Sequence, residues 1–249
     1  MATTGRFVWY DLMTTDPAAA KAFYTPLTGW GTQDWNQGHM PYTMWTVGER
    51  HIGGVMGHDQ KMGAPNYWLP YISCEAVDAT VARAVAMGAT VLVPAMDIPN
   101  IGRFCVVKDP QGAVFAAWRS ANPSDDQAKG PGSFSWHELM VADGAAGFAF
   151  YSELFGWVKT DAMDMGPMGT YQMYGQGCDT YGGMMNTPPG GHPSWLCYIS
   201  VPSINAVTEQ IKASGGTIIN GPMEVPGGSW IVACLDPQGA AIAFHAEKA

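Results

Sequence analysis

The chain copies itself once. The nonapeptide GRFVWYDLM at residues 5–13 returns as GSFSWHELM at 132–140, an offset of 127. At the same offset Phe23-Tyr24 matches Phe150-Tyr151, Gly29-Trp30 matches Gly156-Trp157, and Trp68 matches Trp195. Tyr71-Ile72-Ser73 likewise matches Tyr198-Ile199-Ser200, and the Asp-Pro-Gln-Gly run from Asp109 matches the one from Asp236. Whatever fold the first half adopts, the second must adopt too, which removes most architectures open to 249 residues. The stretch SANPSDDQAKGPG at 120–132 has no hydrophobic periodicity and the composition of a solvated connector. It sets an N-terminal domain at 1–121, a linker at 122–131 and a C-terminal domain at 132–249.

Composition narrows the partners. Charged residues are 13% of the chain and the formal net charge is −9, so no basic surface is available to neutralise phosphates. Nucleic acid and anionic membrane are excluded as expected partners, and a small-molecule ligand is expected, with the chain a monomer or homodimer. No apolar run reaches the ~18 residues of a membrane span, and the first residues lack a leader pattern. A cytoplasmic location is the expectation. Five cysteines without a C-x-x-C pair point to reduced core thiols rather than disulfides or zinc. Nucleotide and serine-hydrolase motifs are absent.

Local patterns give the elements. A strand at Phe7–Met13 is followed by Asp16-Pro17, a helix cap with proline in the first turn, and by an Ala-rich helix that Gly29 ends. Further strands, a helix at Val77–Met87 and a hairpin turn at Asp109–Gly112 complete the half. Each half reads as two βαβββ units, an α+β class with curved mixed sheets around a cavity.

This unit, with its helix-opening Asp, its Phe-Tyr dipeptide, its Gly-Trp exit and its Asp-Pro-Gln-Gly hairpin, resembles the vicinal oxygen chelate superfamily. Glyoxalase I, bleomycin-binding proteins and extradiol dioxygenases belong to it. The Asp97-Ile-Pro-Asn-Ile-Gly-Arg-Phe104 entry is similar to that of the tandem glyoxalase/hydroxylase group. The resemblance implies a divalent metal held by His, His or Gln, and Glu, at positions that here are Trp9, Trp68 and Ala116 in one half and Trp136, Trp195 and Ala243 in the other. Indole nitrogen is a donor only and alanine offers nothing, so no metal or other cofactor is expected at those positions. A divalent ion remains possible only at a relocated site using Asp11, Glu138 or His245.

Four indoles, with Met13 and Met140, suit an aromatic or conjugated ligand; the competing reading is that they merely fill the space. Strand alternation puts Asp11 two residues from Trp9 and Glu138 two from Trp136 on the same face, with His245 and its counterpart Trp118 two residues beyond the alanines. Glu138 with His245 is the expected acid/base pair, the carboxyl raised by desolvation, and Asp11 a lesser candidate. His137, adjacent to Glu138, should face the opposite side. Arg103 either receives an anionic group or pairs with Asp11. Three readings follow: a metal-independent lyase or isomerase, or an oxidoreductase, acting on a small carbonyl compound; a non-catalytic binding protein for a drug or aromatic metabolite; and a protein with a relocated metal site.

Overall fold

In the computed structural model, residues 4–35, 40–58, 63–122 and 129–249 are described. Residues 123–128, the middle of the expected linker, lie outside them. The first half runs β1 (Phe7–Thr14), α1 (Pro17–Thr28), β2 (Gly31–Trp35), β3 (Tyr42–Val47) and β4 (Arg50–Gly57). A second module repeats the order: β5 (Tyr67–Ser73), α2 (Val77–Ala86), β6 (Thr90–Ile98), β7 (Gly102–Lys108) and β8 (Val114–Ser120). The other half gives β9 (Phe134–Val141), α3 (Gly144–Phe155), β10 (Val158–Asp164), β11 (Thr170–Gln176) and β12 (Asp179–Asn186). It ends with β13 (Ser194–Ser200), α4 (Ile204–Ala213), β14 (Thr217–Glu224), β15 (Trp230–Leu235) and β16 (Ala241–Ala246). Two βαβββ modules per half are therefore present, as the repeat demands.

Each half forms one eight-stranded mixed sheet, in the order β2-β3-β4-β1-β5-β8-β7-β6 and, equivalently, β10-β11-β12-β9-β13-β16-β15-β14. The strands that begin each module lie side by side at the middle, and each also pairs in parallel with the last strand of its own module. Local chemistry sets the boundaries. Asp16 accepts from the Ala18 and Ala19 amides at 3.1 and 2.9 Å, Pro17 opens α1, and Gly29 ends it in the left-handed region at φ 73°. Asp143 and Gly156 do the same for α3. The side chains of Asp109 and Asp236 each accept backbone amides of their own turn, which fixes the Asp-Pro-Gln-Gly hairpins.

By packing, the chain forms two compact units that each draw on both halves. One comprises Met1–Val8, Pro70–Gln127 and Trp136–Trp195; the other Trp9–Leu69, Ala128–Ser135 and Leu196–Ala249. Within the second unit the Tyr24 hydroxyl donates to Asp236 at 3.0 Å and the Trp30 indole to the Gly132 carbonyl at 2.6 Å. Within the first, Tyr151 donates to Asp109 at 3.1 Å and Trp157 to the Gly5 carbonyl at 2.7 Å. The repeated Phe-Tyr, Gly-Trp and Asp-Pro-Gln-Gly motifs thus join a module of one half to a module of the other. Four cysteines are buried, as expected; Cys178, in the turn between β11 and β12, is exposed.

Candidate functional site

Alternation along β9 places Trp136, Glu138 and Met140 half-buried on one face, while His137, Leu139 and Val141 are buried on the other. His137 stacks on Phe7 with ring centroids 3.7 Å apart and bonds the Tyr181 carbonyl through Nδ1 at 2.9 Å. The opposite facing of His137 and Glu138 is therefore as the sequence implies.

On the open face the Trp136 indole donates to the Tyr171 hydroxyl at 2.8 Å, and that hydroxyl donates to Glu138 Oε2 at 3.0 Å. The other half repeats the arrangement: Trp9 donates to Tyr42 at 2.8 Å and to Asp11 Oδ1 at 2.9 Å, and Tyr42 donates to the same Asp11 oxygen at 2.7 Å. Burial first, and then the adjacent carboxylate, hold both phenols well above the ordinary tyrosine range. Protonated at neutral pH, each is fixed as a donor toward its acid.

Tyr42 and Tyr171 escape a search at offset 127 because they lie 129 residues apart, the first half being two residues shorter before β3. The glycine pairs share that shifted offset and explain the space. A Cβ on Gly54 would strike the Tyr42 ring and one on Gly183 the Tyr171 ring; on Gly53 or Gly182 it would strike the carbonyl of Tyr10 or His137.

The four indoles expected to offer stacking surface do not share one environment. Trp68 and Trp195 are buried and donate to Tyr24 of α1 at 3.0 Å and Tyr151 of α3 at 3.1 Å, each packed edge-on against that ring. A large ring with one N–H is better satisfied beneath the helix, where a hydroxyl waits, than on the open face. Tyr67, the residue before Trp68, stands near enough to Asp11 for that charge to add to burial in raising its phenol.

Arg103 does not pair with Asp11. It clasps Asp78 through Nε and Nη2, both at 2.9 Å, and Asp97 through Nη1 at 2.9 Å, on the surface. Trp118 is half-buried, edge-on to Tyr71. Met13 is half-buried on β1, as is Met140 on β9. His245 is half-buried with its ring pKa lowered by burial, Glu247 opposing; its Nδ1 has no partner among the described residues. It belongs to the second compact unit and Glu138 to the first. A cleft of about 590 Å³ beside the start of α1 meets the first-half cluster at Tyr42, while Trp9 and Asp11 are not among its lining residues.

At the positions the resemblance assigns to metal ligands, Trp9, Trp68, Trp136 and Trp195 give away their only polar hydrogen, and Ala116 and Ala243 are buried without a donor atom. Among the described residues no three His, Cys, Asp or Glu side chains gather as a cation site. The donor set there does not fit a divalent ion.

Paired βαβββ modules in each half, with a polar cluster on the first strand of each half, define a protein built on the glyoxalase and dioxygenase plan. The chain belongs to the Glyoxalase/Bleomycin resistance protein/Dioxygenase superfamily, whose model matches residues 6–116 and again 133–244. It is 33% identical over 239 residues to "Putative glyoxylase CFP32" of Mycobacterium tuberculosis, covering 93% of this chain and 91% of that one. It is 29% identical to the anthracycline biosynthesis protein DauV of a Streptomyces species, covering 95% and 91%. Among solved structures, the Mn(II)-bound glyoxalase of Novosphingobium aromaticivorans superposes with a TM-score of 0.68 at 18% identity, over 99% of this chain and 83% of that one. Homoprotocatechuate 2,3-dioxygenase of Arthrobacter globiformis gives 0.72 at 15%, over 98% and 80%. At such identities the likeness is one of fold.

Proposed function

We propose that the protein holds a small aromatic or conjugated molecule against the Trp–Tyr–carboxylate cluster built around the first strand of each half. The observation that carries this reading is the bond chain from Trp136 through Tyr171 to Glu138 on a half-buried face, repeated with Trp9, Tyr42 and Asp11. Indole and thioether surface supplies stacking, and the carboxylate supplies one oriented polar anchor, the usual economy of a small-molecule site. The name of one relative, DauV, ties it to anthracycline biosynthesis, and anthracyclines are fused aromatic ring compounds.

A second reading is metal-independent proton transfer on a small carbonyl compound, the chemistry of a lyase or isomerase, with Glu138 as base. It draws on the half-buried Glu138 carboxylate and on relatives named as glyoxylases. Titration with aromatic ligands, followed by tryptophan fluorescence, separates the two. Saturable quenching that Trp136→Phe weakens supports binding, and no quenching by any aromatic compound overturns it. A roughly 100-fold loss of turnover in Glu138→Gln with binding retained would favour catalysis.

A further inference from the structure

The cleft of about 590 Å³ beside the start of α1 has the size of a small-molecule site, and both aromatic rings and opposite charges line it. We infer that it binds an aromatic zwitterion, a flat ring carrying both a carboxylate and an ammonium group, as an aromatic amino acid does. Lys21 receives the carboxylate, Asp34 the ammonium, and Trp35 the ring, with Tyr42 beside it. The inference stands whether or not the clusters hold a ligand of their own.

Lys21 is half-buried on α1 and forms no ion pair among the described residues, although Asp16 and Asp34 line the same cleft. Asp16 already serves the fold, since its Oδ1 caps α1. Asp34 spends Oδ1 on the Thr43 hydroxyl at 2.7 Å, and its other oxygen takes no bond from a described residue. A cation and a carboxylate that share a cleft without meeting leave a gap that a ligand with both charges can bridge. Charge-assisted bonds at its two ends then fix its direction. Two acids against one lysine, on a chain of net charge −9, disfavour a simple anion, and Lys21 disfavours a simple cation.

The repeat separates these residues from what the fold needs. The position matching Lys21 at the 127 offset is Phe148. Across β2 and β3, Asp34 pairs with Thr43 and Trp35 with Tyr42; in the other half the partners of Gln172 and Tyr171 are Ala162 and Met163. Cation, carboxylate and indole are thus all replaced in a half that folds the same way. Gly57, which pairs with Thr14, gives way to Asn186, which pairs with Val141 and accepts from the first amide of α3 at 2.9 Å. With no side chain there, Gly57 leaves that space to the cleft it lines.

The test titrates free tryptophan, tryptophanamide and N-acetyltryptophan into the full chain by calorimetry at about pH 6, where they are zwitterion, cation and anion. The zwitterion should bind about tenfold tighter than either of the others. Lys21→Met should bring it down to the level of the amide, with the amide no weaker than in the parent. Asp34→Asn, which keeps an acceptor for Thr43, should bring it down to the level of the N-acetyl compound. If a variant does not fold, the ranking of the three ligands in the parent decides alone. The inference is overturned if the amide or the N-acetyl compound matches the zwitterion in the parent, if either folded variant leaves the ranking unchanged, or if none of the three binds.

Discussion

At the scale of single residues, surroundings decide chemistry more than identity does. His137 sits beside Glu138 in sequence, yet burial against Phe7 lowers its pKa to about 4, the bond to the Tyr181 carbonyl opposing that shift. An unfolded histidine titrates near 6.5, so between about 6.5 and 4 the unfolded chain binds the proton that the folded chain refuses. Stability should therefore fall as pH drops through that window, by up to roughly 3 kcal/mol from this residue. His137→Phe keeps a ring on Phe7 and removes the titration, so its melting temperature should decline less between pH 7 and 4.5. Equal declines in parent and variant would assign the acid sensitivity elsewhere. Two buried indoles give a sharper comparison: Trp30 donates to the Gly132 carbonyl, whereas Trp45 Nε1 has no partner among the described residues. Each phenylalanine replacement loses similar ring area, but only Trp30→Phe leaves an acceptor orphaned. It should cost about 1 kcal/mol more than Trp45→Phe in urea unfolding. None of these environments is written in the sequence next to the residue itself. Arg103 shows this most plainly, since its partners Asp78 and Asp97 are 25 and 6 positions away.

At the scale of elements, the sequence was legible wherever a local rule operates. Asp16, Pro17 and Gly29 bound α1 as their chemistry requires, and alternation sorted Glu138 from His137. Alternation says which residues share a face but not which face meets a helix, and so Trp68 and Trp195 could not be assigned before the structure showed Tyr24 and Tyr151 above them. The tyrosines of the cluster were hidden differently, by the shift of the repeat from 127 to 129 through β3 and β4. The glycine pair on β12 should behave as part of that cluster. A methyl on Gly183 would strike the Tyr171 ring, so Gly183→Ala should destabilise by about 1–3 kcal/mol or expel Tyr171 from Glu138. In a Tyr171→Ala background the same change should cost much less, since the atoms it meets are gone. A double-mutant cycle in denaturant reads the coupling, and additive costs would show that the glycine serves the backbone alone.

At the scale of the whole molecule, a repeat reveals where a chain copies itself but not which copies pack together. Each compact unit takes one module from each half, and the residues that recur at 127 are the ones that join them: Tyr24 to Asp236 and Trp30 to Gly132 in one, Tyr151 to Asp109 and Trp157 to Gly5 in the other. Residues 1–121 alone would leave the Tyr24 hydroxyl and the Trp30 indole buried without their acceptors, and a buried polar group without a partner costs about 1–3 kcal/mol. The same half nevertheless carries Asp109 and Gly5, the acceptors that Tyr151 and Trp157 use in the intact chain. A second copy of the half could therefore supply to Tyr24 and Trp30 what residues 132–249 normally supply. Residues 1–121 expressed alone should accordingly fold as a homodimer, and light scattering should give twice the monomer mass at micromolar concentration. Asp109→Asn in that half should weaken the dimer, and mixing with residues 132–249 should replace it by the heterodimer. A folded monomer of residues 1–121, with thermal stability independent of concentration, would show that each half completes its own core and that the exchanged contacts are incidental to folding.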